Sequence, residues 1–313
     1  MLLLINVEGG LGVAAGLAAL RRGAPALDAV EAAIRPVEAD PEEHSVGLGG
    51  WTNLLGRSEC DASIMDGRTR AAGAVAGLEG FLHPISVARE VMRRLPHVLL
   101  VGEGAGRFAG EIGAERAEMV TPAARAAHGE WIARLFPGDQ AAWPPLQLAG
   151  HAWASAREVV RKGTVICLAV DAEGEIAAGV SSSGWAYKYP GRVGDSGVIG
   201  AGIYADARYG ACGCTHTGER TIRAGTARAV VLHLRRGASV EEACREAARD
   251  LRDLTEGVTG PVVLHAIDRS GNACVLTTHA PGEPDGHPLG KPPRYLLWRH
   301  GEGEPEARPV PSL

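Results

Sequence analysis

Apolar positions along this chain recur with two periods, and the switches between them divide it into elements. Met1 to Val7 is a short, nearly continuous apolar run that reads as a buried strand. It gives way to Glu8-Gly9-Gly10-Leu11-Gly12 and then to an Ala- and Leu-rich helical pattern ending near Arg21-Arg22-Gly23. A second helical period occupies Ala26 to Ile34. Cys60 to Gly67 reads as a strand closed by an Asp-Gly turn, and Ala71 to Gly80 as another strand and turn. Pro84 to Met92 starts a helix with Ser86 close to its N-cap. Val98 to Val101 is a short strand and Ala105 to Ala109 the next helix.

From Glu118 to Lys162 the pattern loosens into Ala, Pro and Trp, with helical pieces at Ala123 to Leu135 and Trp153 to Val160. This section reads as a surface connector. A β-hairpin follows: Gly163 to Val170, the turn Asp171-Ala172-Glu173-Gly174, and Glu175 to Val180. Thr221 to Arg235 and Ser239 to Leu254 have helical amphipathic spacing, and Val262 to Asp268 with Ala273 to Thr278 makes a second hairpin. The chain from about residue 280 is Pro, Gly and charge, the composition of a weakly ordered tail. Strands and helices clustered in this order fit two helical layers around two β-sheets.

Composition narrows the choice of partner. With 313 residues the chain can bury a large core, and a net charge of −5 with interspersed signs gives no reason to expect nucleic acid. The apolar N-terminus lacks a basic leader region and is too short to span a bilayer, so a cytoplasmic protein without a membrane partner is expected. Six cysteines in a chain this long read as reduced thiols. Cys212-x-Cys214 with His216 lacks a second ligand cluster at zinc spacing, so no metal is expected. Gly10-x-Gly12-x-x-Ala15 between a strand and a helix has the form of a dinucleotide fingerprint, which makes a nucleotide-binding module one alternative. The acidic residue expected about twenty positions on would fall at Asp28 or Glu31, inside a helical pattern rather than at a strand end.

The chemistry concentrates after the first hairpin. Ser181-Ser182-Ser183-Gly184 precedes Gly191-Arg192-Val193-Gly194-Asp195-Ser196, placing hydroxyls beside one Arg and one Asp in a Gly-rich loop. A guanidinium and a carboxylate so presented match the α-carboxylate and α-ammonium of a small zwitterion. The plainer reading is a surface ion pair between Arg192 and Asp195. Thr164, taken alone, is a β-branched residue opening a strand.

The run from Gly163 to Glu219, with "GRVGDS", "GAG" and "YAD", resembles the β-subunit start of the threonine-type N-terminal-nucleophile amidohydrolases, the family of glycosylasparaginase and plant-type asparaginase. Upstream, "ALDAVEAAIRPVEADPEEHSVGLGG", "DASIMDG" and "PHVLLVGEGAGRFA" resemble its α-subunit in the same order. The resemblance implies an α+β fold, a four-layer αββα sandwich, made from an α-subunit part (1–163) and a β-subunit part (164–313). It implies self-cleavage between Gly163 and Thr164, and Gly163 is expected to adopt a strained backbone there. The freed α-amine would serve Thr164 as its own base.

Matched residue by residue, Ser182 takes the place of a second site hydroxyl, usually Thr. Thr215 matches the oxyanion-stabilising Thr, and Arg192 and Asp195 the pair that holds an aspartyl group. His216 stands where the family generally has Gly, at the edge of the substrate site. The implied substrate is a β-aspartyl amide, foremost N4-(β-N-acetylglucosaminyl)-L-asparagine, with L-asparagine or a β-aspartyl dipeptide as the alternative. No cofactor is implied, and the assembly implied is a homodimer of processed αβ units. The replacements at Ser182 and His216 also admit a catalytically silent homologue acting as a binding scaffold.

Overall fold

The computed structural model describes residues 1–137, 143–144, 147–157, 163–279 and 293–313. Up to Gly163 the chain forms β1 (Leu2–Asn6), a 3-10 turn (Val7–Gly12), α1 (Val13–Arg21), α2 (Ala26–Glu38), β2 (Cys60–Asp66), β3 (Ala72–Leu78), α3 (Pro84–Arg94), β4 (Leu99–Val101), α4 (Gly102–Glu111), α5 (Pro122–Leu135) and α6 (Ala149–Arg157). Beyond it come β5 (Val165–Val170), β6 (Ile176–Ser182), β7 (Ile203–Asp206), β8 (Gly210–His216), α7 (Gly218–Ala224), α8 (Thr226–Arg235), α9 (Val240–Asp253), β9 (Val262–Asp268), β10 (Ala273–Thr277), β11 (Arg294–Arg299) and β12 (Ala307–Pro309).

Two sheets organise these elements. The larger has strand order β12-β11-β1-β5-β6-β2-β3-β4 and the smaller β10-β9-β8-β7. Pairing is antiparallel except between β3 and β4. β5, the first strand after Gly163, lies between β1 from before it and β6 from after it. The two parts of the chain are therefore interleaved in one sheet.

Burial on both faces explains why the central strands are continuous apolar runs. On β5, Val165, Cys167 and Ala169 join a cluster with residues of α1, α2, α3 and α4, while Ile166 and Leu168 join one with Ile203, Ala211 and Val263 of the smaller sheet. The opposite face of the smaller sheet carries Cys212, Cys214 and Leu264, packed on Val230 of α8 and Ala247 of α9. The structure thus shows a mixed α and β fold with two sheets, and one apolar cluster lies between them.

Several expectations are corrected. The dinucleotide reading fails because β1 is antiparallel to both of its neighbours, where that motif needs a parallel β-α-β unit. Gly12 serves helix packing instead, since a Cβ there would lie 1.6 Å from the Ala33 carbonyl oxygen of α2. The N-cap position of α3 is His83, whose side chain makes no capping hydrogen bond, Pro84 stands in its first turn, and the Ser86 hydroxyl donates to Glu31 of α2. The expected helix from Thr221 to Arg235 is two helices, broken where Gly225 adopts φ +60°. α5 is no loose connector: Trp131 and Ile132 are buried with Leu54, and Trp131 stacks on Tyr187 at 4.2 Å between ring centroids.

The expected helical end at 158–160 and residues 280–292 of the expected tail lie outside the described residues. Beyond them the tail is ordered as β11 and β12, because β11 covers β1 with Asn6 opposite Tyr295 and Leu3 opposite Trp298. Among the described residues no helix is long and apolar enough to cross a membrane, and no group of His, Cys, Asp and Glu is arranged to hold a metal ion. Cys212 and Cys214 face the helices as buried core thiols.

Candidate active site

Strand register builds the first half of the site. β5 pairs β6 with Val165 opposite Ser181, so the next step of the ladder sets Thr164 beside Ser182. The Thr164 hydroxyl lies 2.7 Å from the Gly163 carbonyl oxygen and 3.2 Å from Ser182 Oγ. The Ser182 hydroxyl donates to the same carbonyl at 3.0 Å and accepts from the Gly184 N–H at 2.9 Å. Both hydroxyls are buried, Thr164 at 5 % and Ser182 at 3 % exposure, so water does not compete for these bonds. A hydroxyl held there can attack the Gly163 carbonyl carbon while Ser182 polarises the carbonyl oxygen.

Space requires the glycine at Gly163: a Cβ would lie 2.2 Å from Ser45 Cβ and 2.3 Å from Ser45 Oγ. Ser45 is itself fixed, since its backbone N–H and hydroxyl both donate to the Glu43 carboxylate and its carbonyl accepts from the Ser183 N–H. Gly163→Ala should therefore displace the carbonyl and slow any cleavage after residue 163 by roughly 10- to 100-fold, measured from the fraction of intact chain over time.

The loop after β6 supplies the second half. Ser182 pairs with Asp61 of β2, whose carboxylate accepts from the Gly77 N–H at 2.9 Å and the Gly194 N–H at 2.8 Å. That bond holds the backbone directly before Asp195. Arg192 and Asp195 form no ion pair with each other, which removes the plainer reading. Arg192 makes a forked contact to Glu219 Oε1, with Nε at 2.9 Å and Nη2 at 2.8 Å, and lies over the Trp185 ring at 4.8 Å. Asp195 accepts from the Thr221 hydroxyl at 2.8 Å. Burial raises its carboxyl to about 6 against the Thr221 hydrogen bond and the nearby Arg192 charge, and Glu219 pushes the same way as burial.

Thr215 and His216 end β8, and Thr215 Oγ1 is 2.9 Å from His216 Nδ1. His216 takes φ +83°, so the position that generally carries Gly in the resembled family keeps a left-handed backbone with a side chain on it. On β9, His265 is buried, and desolvation pushes its imidazole down to about 4. Burial raises the Glu43 carboxyl; hydrogen bonds from Ser45 oppose this and the neighbouring Glu8 charge adds to it. Lys188 is buried and donates from Nζ to the carbonyls of Glu59 and Ser183, which anchors the serine run from behind.

The structure thus brings Gly163, Thr164 and Ser182 into one hydrogen-bonded group, joins Thr215 to His216, and gives Arg192 and Asp195 separate partners on α7, Glu219 and Thr221. Sequence reasoning missed Asn6, Glu43, Ser45, Glu219 and Thr221. Glu219 and Thr221 had a usable signal, polar residues within six positions of Thr215 at the start of a helix. Asn6 had none, because its partner Thr164 is 158 positions away.

Comparison with known proteins identifies the chain's relatives. A family model described as asparaginase matches residues 11–281. The plant-type L-asparaginase of Pyrococcus abyssi is 42% identical over 297 residues, covering 94% of this chain and 90% of that protein. The isoaspartyl peptidase of Salmonella typhimurium is 38% identical over 264 residues, 84% of this chain and 81% of its own. The N(4)-(β-N-acetylglucosaminyl)-L-asparaginase of Elizabethkingia miricola is 39% identical over 228 residues, 73% of this chain but 62% of its own length. With a family match over most of its length and the hydroxyl group around Thr164 in place, the chain belongs to the asparaginase family of N-terminal-nucleophile amidohydrolases.

Proposed function

We propose that the chain cuts itself between Gly163 and Thr164, and that the mature protein hydrolyses the β-amide of an aspartyl unit with Thr164 as nucleophile. The observation that carries this reading is the Thr164 hydroxyl held against the Gly163 carbonyl with Ser182 on the same oxygen. In the cut protein the α-amine of Thr164 takes the hydroxyl proton as Oγ1 bonds to the substrate β-carbonyl carbon. The carbonyl electrons move to oxygen, where the Thr215 hydroxyl donates. Collapse breaks the C–N bond, the leaving amine takes the proton, and an ester on Thr164 remains. Water then attacks the ester with the same amine as base and releases aspartate.

Arg192 receives the α-carboxylate and Asp195 the α-ammonium, and His216 borders the substrate. Glu219 orients the guanidinium, leaving its remaining edge for the ligand. The reaction calls for no metal or organic cofactor. The four-layer αββα arrangement belongs to this reading and is supported by the apolar clusters on either face of the smaller sheet. So does a homodimer of processed αβ units.

Among β-aspartyl amides, N4-(β-N-acetylglucosaminyl)-L-asparagine is the first candidate, on the glycosylasparaginase-like segments "SVGLGG" and "PHVLLVGEGA". The near full-length coverage of the plant-type relative favours L-asparagine or a β-aspartyl dipeptide as the second. Incubating the processed protein with all three and following N-acetylglucosaminylamine (or the N-acetylglucosamine formed from it), ammonia and free amino acid decides between them. Absence of turnover on every one of them overturns the assignment.

A further inference from the structure

Asn6 ends β1 and is 3 % exposed. The backbone ladder between β1 and β5 stops at the pair Ile5 and Cys167, where the chain leaves the sheet for its 3-10 turn. The Asn6 carboxamide carries the pairing one step further. Its Nδ2 donates to the Thr164 carbonyl and its Oδ1 accepts from the Ile166 N–H at 2.8 Å. Nδ2 also donates to Glu8 Oε2 at 2.6 Å, which fixes the amide's orientation. On its other side Asn6 is held in register by Tyr295 of β11. The two backbone groups that the amide grips flank Val165, the residue through which Thr164 remains attached after a cut.

A chain terminus frays unless its backbone is tied down. Once the peptide to Gly163 is broken, the heading of the Thr164 amine and hydroxyl depends on how its own carbonyl is held. We propose that Asn6 is a positioning residue for Thr164, its carboxamide holding the nucleophile's carbonyl so that hydroxyl and amine stay aligned through self-cleavage and turnover. This rests on Thr164 being the nucleophile. A carboxamide suits the task because it supplies a donor and an acceptor in one plane, so a single side chain can replace a step of sheet ladder.

The test compares full-length Asn6→Ala, Asn6→Asp, Glu8→Gln and Thr164→Ala with the parent. Self-cleavage is followed by denaturing electrophoresis, turnover is scaled to the amount of N-terminal threonine, and folding is checked by thermal melting. Asn6→Ala and the isosteric Asn6→Asp, which loses both donors, should each slow self-cleavage and kcat by roughly 10- to 100-fold. KM should stay within about two-fold, because groups that bind the substrate are untouched. Glu8→Gln should remain within about three-fold of the parent, since its amide oxygen still accepts from Asn6.

Parent-like rates in both Asn6 variants, or a change confined to KM, overturn the proposal. Loss of folding in both makes Asn6 a purely structural residue and overturns it as well. Thr164→Ala that still self-cleaves brings down the nucleophile assignment itself, a result separate from any seen at Asn6.

Discussion

Thr164→Ala should leave the purified protein as one uncut chain without turnover, whereas the parent should resolve into pieces spanning 1–163 and 164–313. The loss should approach 10⁶-fold, on the order seen when a hydroxyl nucleophile is deleted, because in the proposed mechanism one hydroxyl serves both the cut and the catalysis. The substitution leaves the fold intact, since β5 is held by its own ladder to β1 and β6 and by apolar side chains on both faces. Thr164→Ser keeps a hydroxyl but loses the methyl group that restricts χ1, so it should self-cleave and turn over more slowly than the parent rather than fail. Electrophoresis, N-terminal sequencing and kcat on the processed fraction read all of these. A fully active uncut chain is the result that would end the reading.

Asp195→Asn should lose activity and gain stability. Removing the carboxylate deprives a substrate ammonium of its buried partner, an effect of about 3–4 kcal/mol or roughly 10²- to 10³-fold in kcat/KM. The stability change has the opposite sign. The folded-state carboxyl titrates at about 6, above its ordinary value of 3.8. Between those values the folded state binds more protons than the unfolded state, so stability falls as pH rises through that window, and the full cost is present at pH 7. Asn carries no charge to desolvate and its oxygen still accepts from Thr221, so the variant should melt a few degrees higher at pH 7, on the order of 1–3 kcal/mol. That gain should vanish below about pH 4, where the parent is protonated in both states. In the parent, KM for an aspartyl substrate should rise below about pH 6, as Asp195 loses its charge. Melting curves and KM at a series of pH values test both halves.

What could be read in advance was set by neighbouring residues. Thr164 and Ser182 were named from the family resemblance, and the hairpin they share, an apolar run, a turn and a second run, is what sets them side by side. Arg192 and Asp195 were visible as a charged pair in glycine, but the partners they choose, Glu219 and Thr221, come from a helix that folds back from the other sheet. The need for space at Gly163 was not legible, because it depends on Ser45, more than a hundred residues earlier in the chain. The terminal strands were hidden because β11 is a short stretch among prolines and glycines, and its burial depends on lying beside a strand nearly three hundred residues earlier.

The placement of β5 at the heart of the larger sheet bears on how the cut protein would age. With β1, β2, β3 and β4 on one piece and β5, β6, β11 and β12 on the other, neither fragment can leave without tearing the sheet open along several seams. The parent folds as a single molecule with its halves tethered. A melted mature enzyme would be two molecules in search of each other, each with bare strand edges open to the wrong company. Its working lifetime would then be a matter of how slowly it first comes apart, and dilution would hinder its recovery.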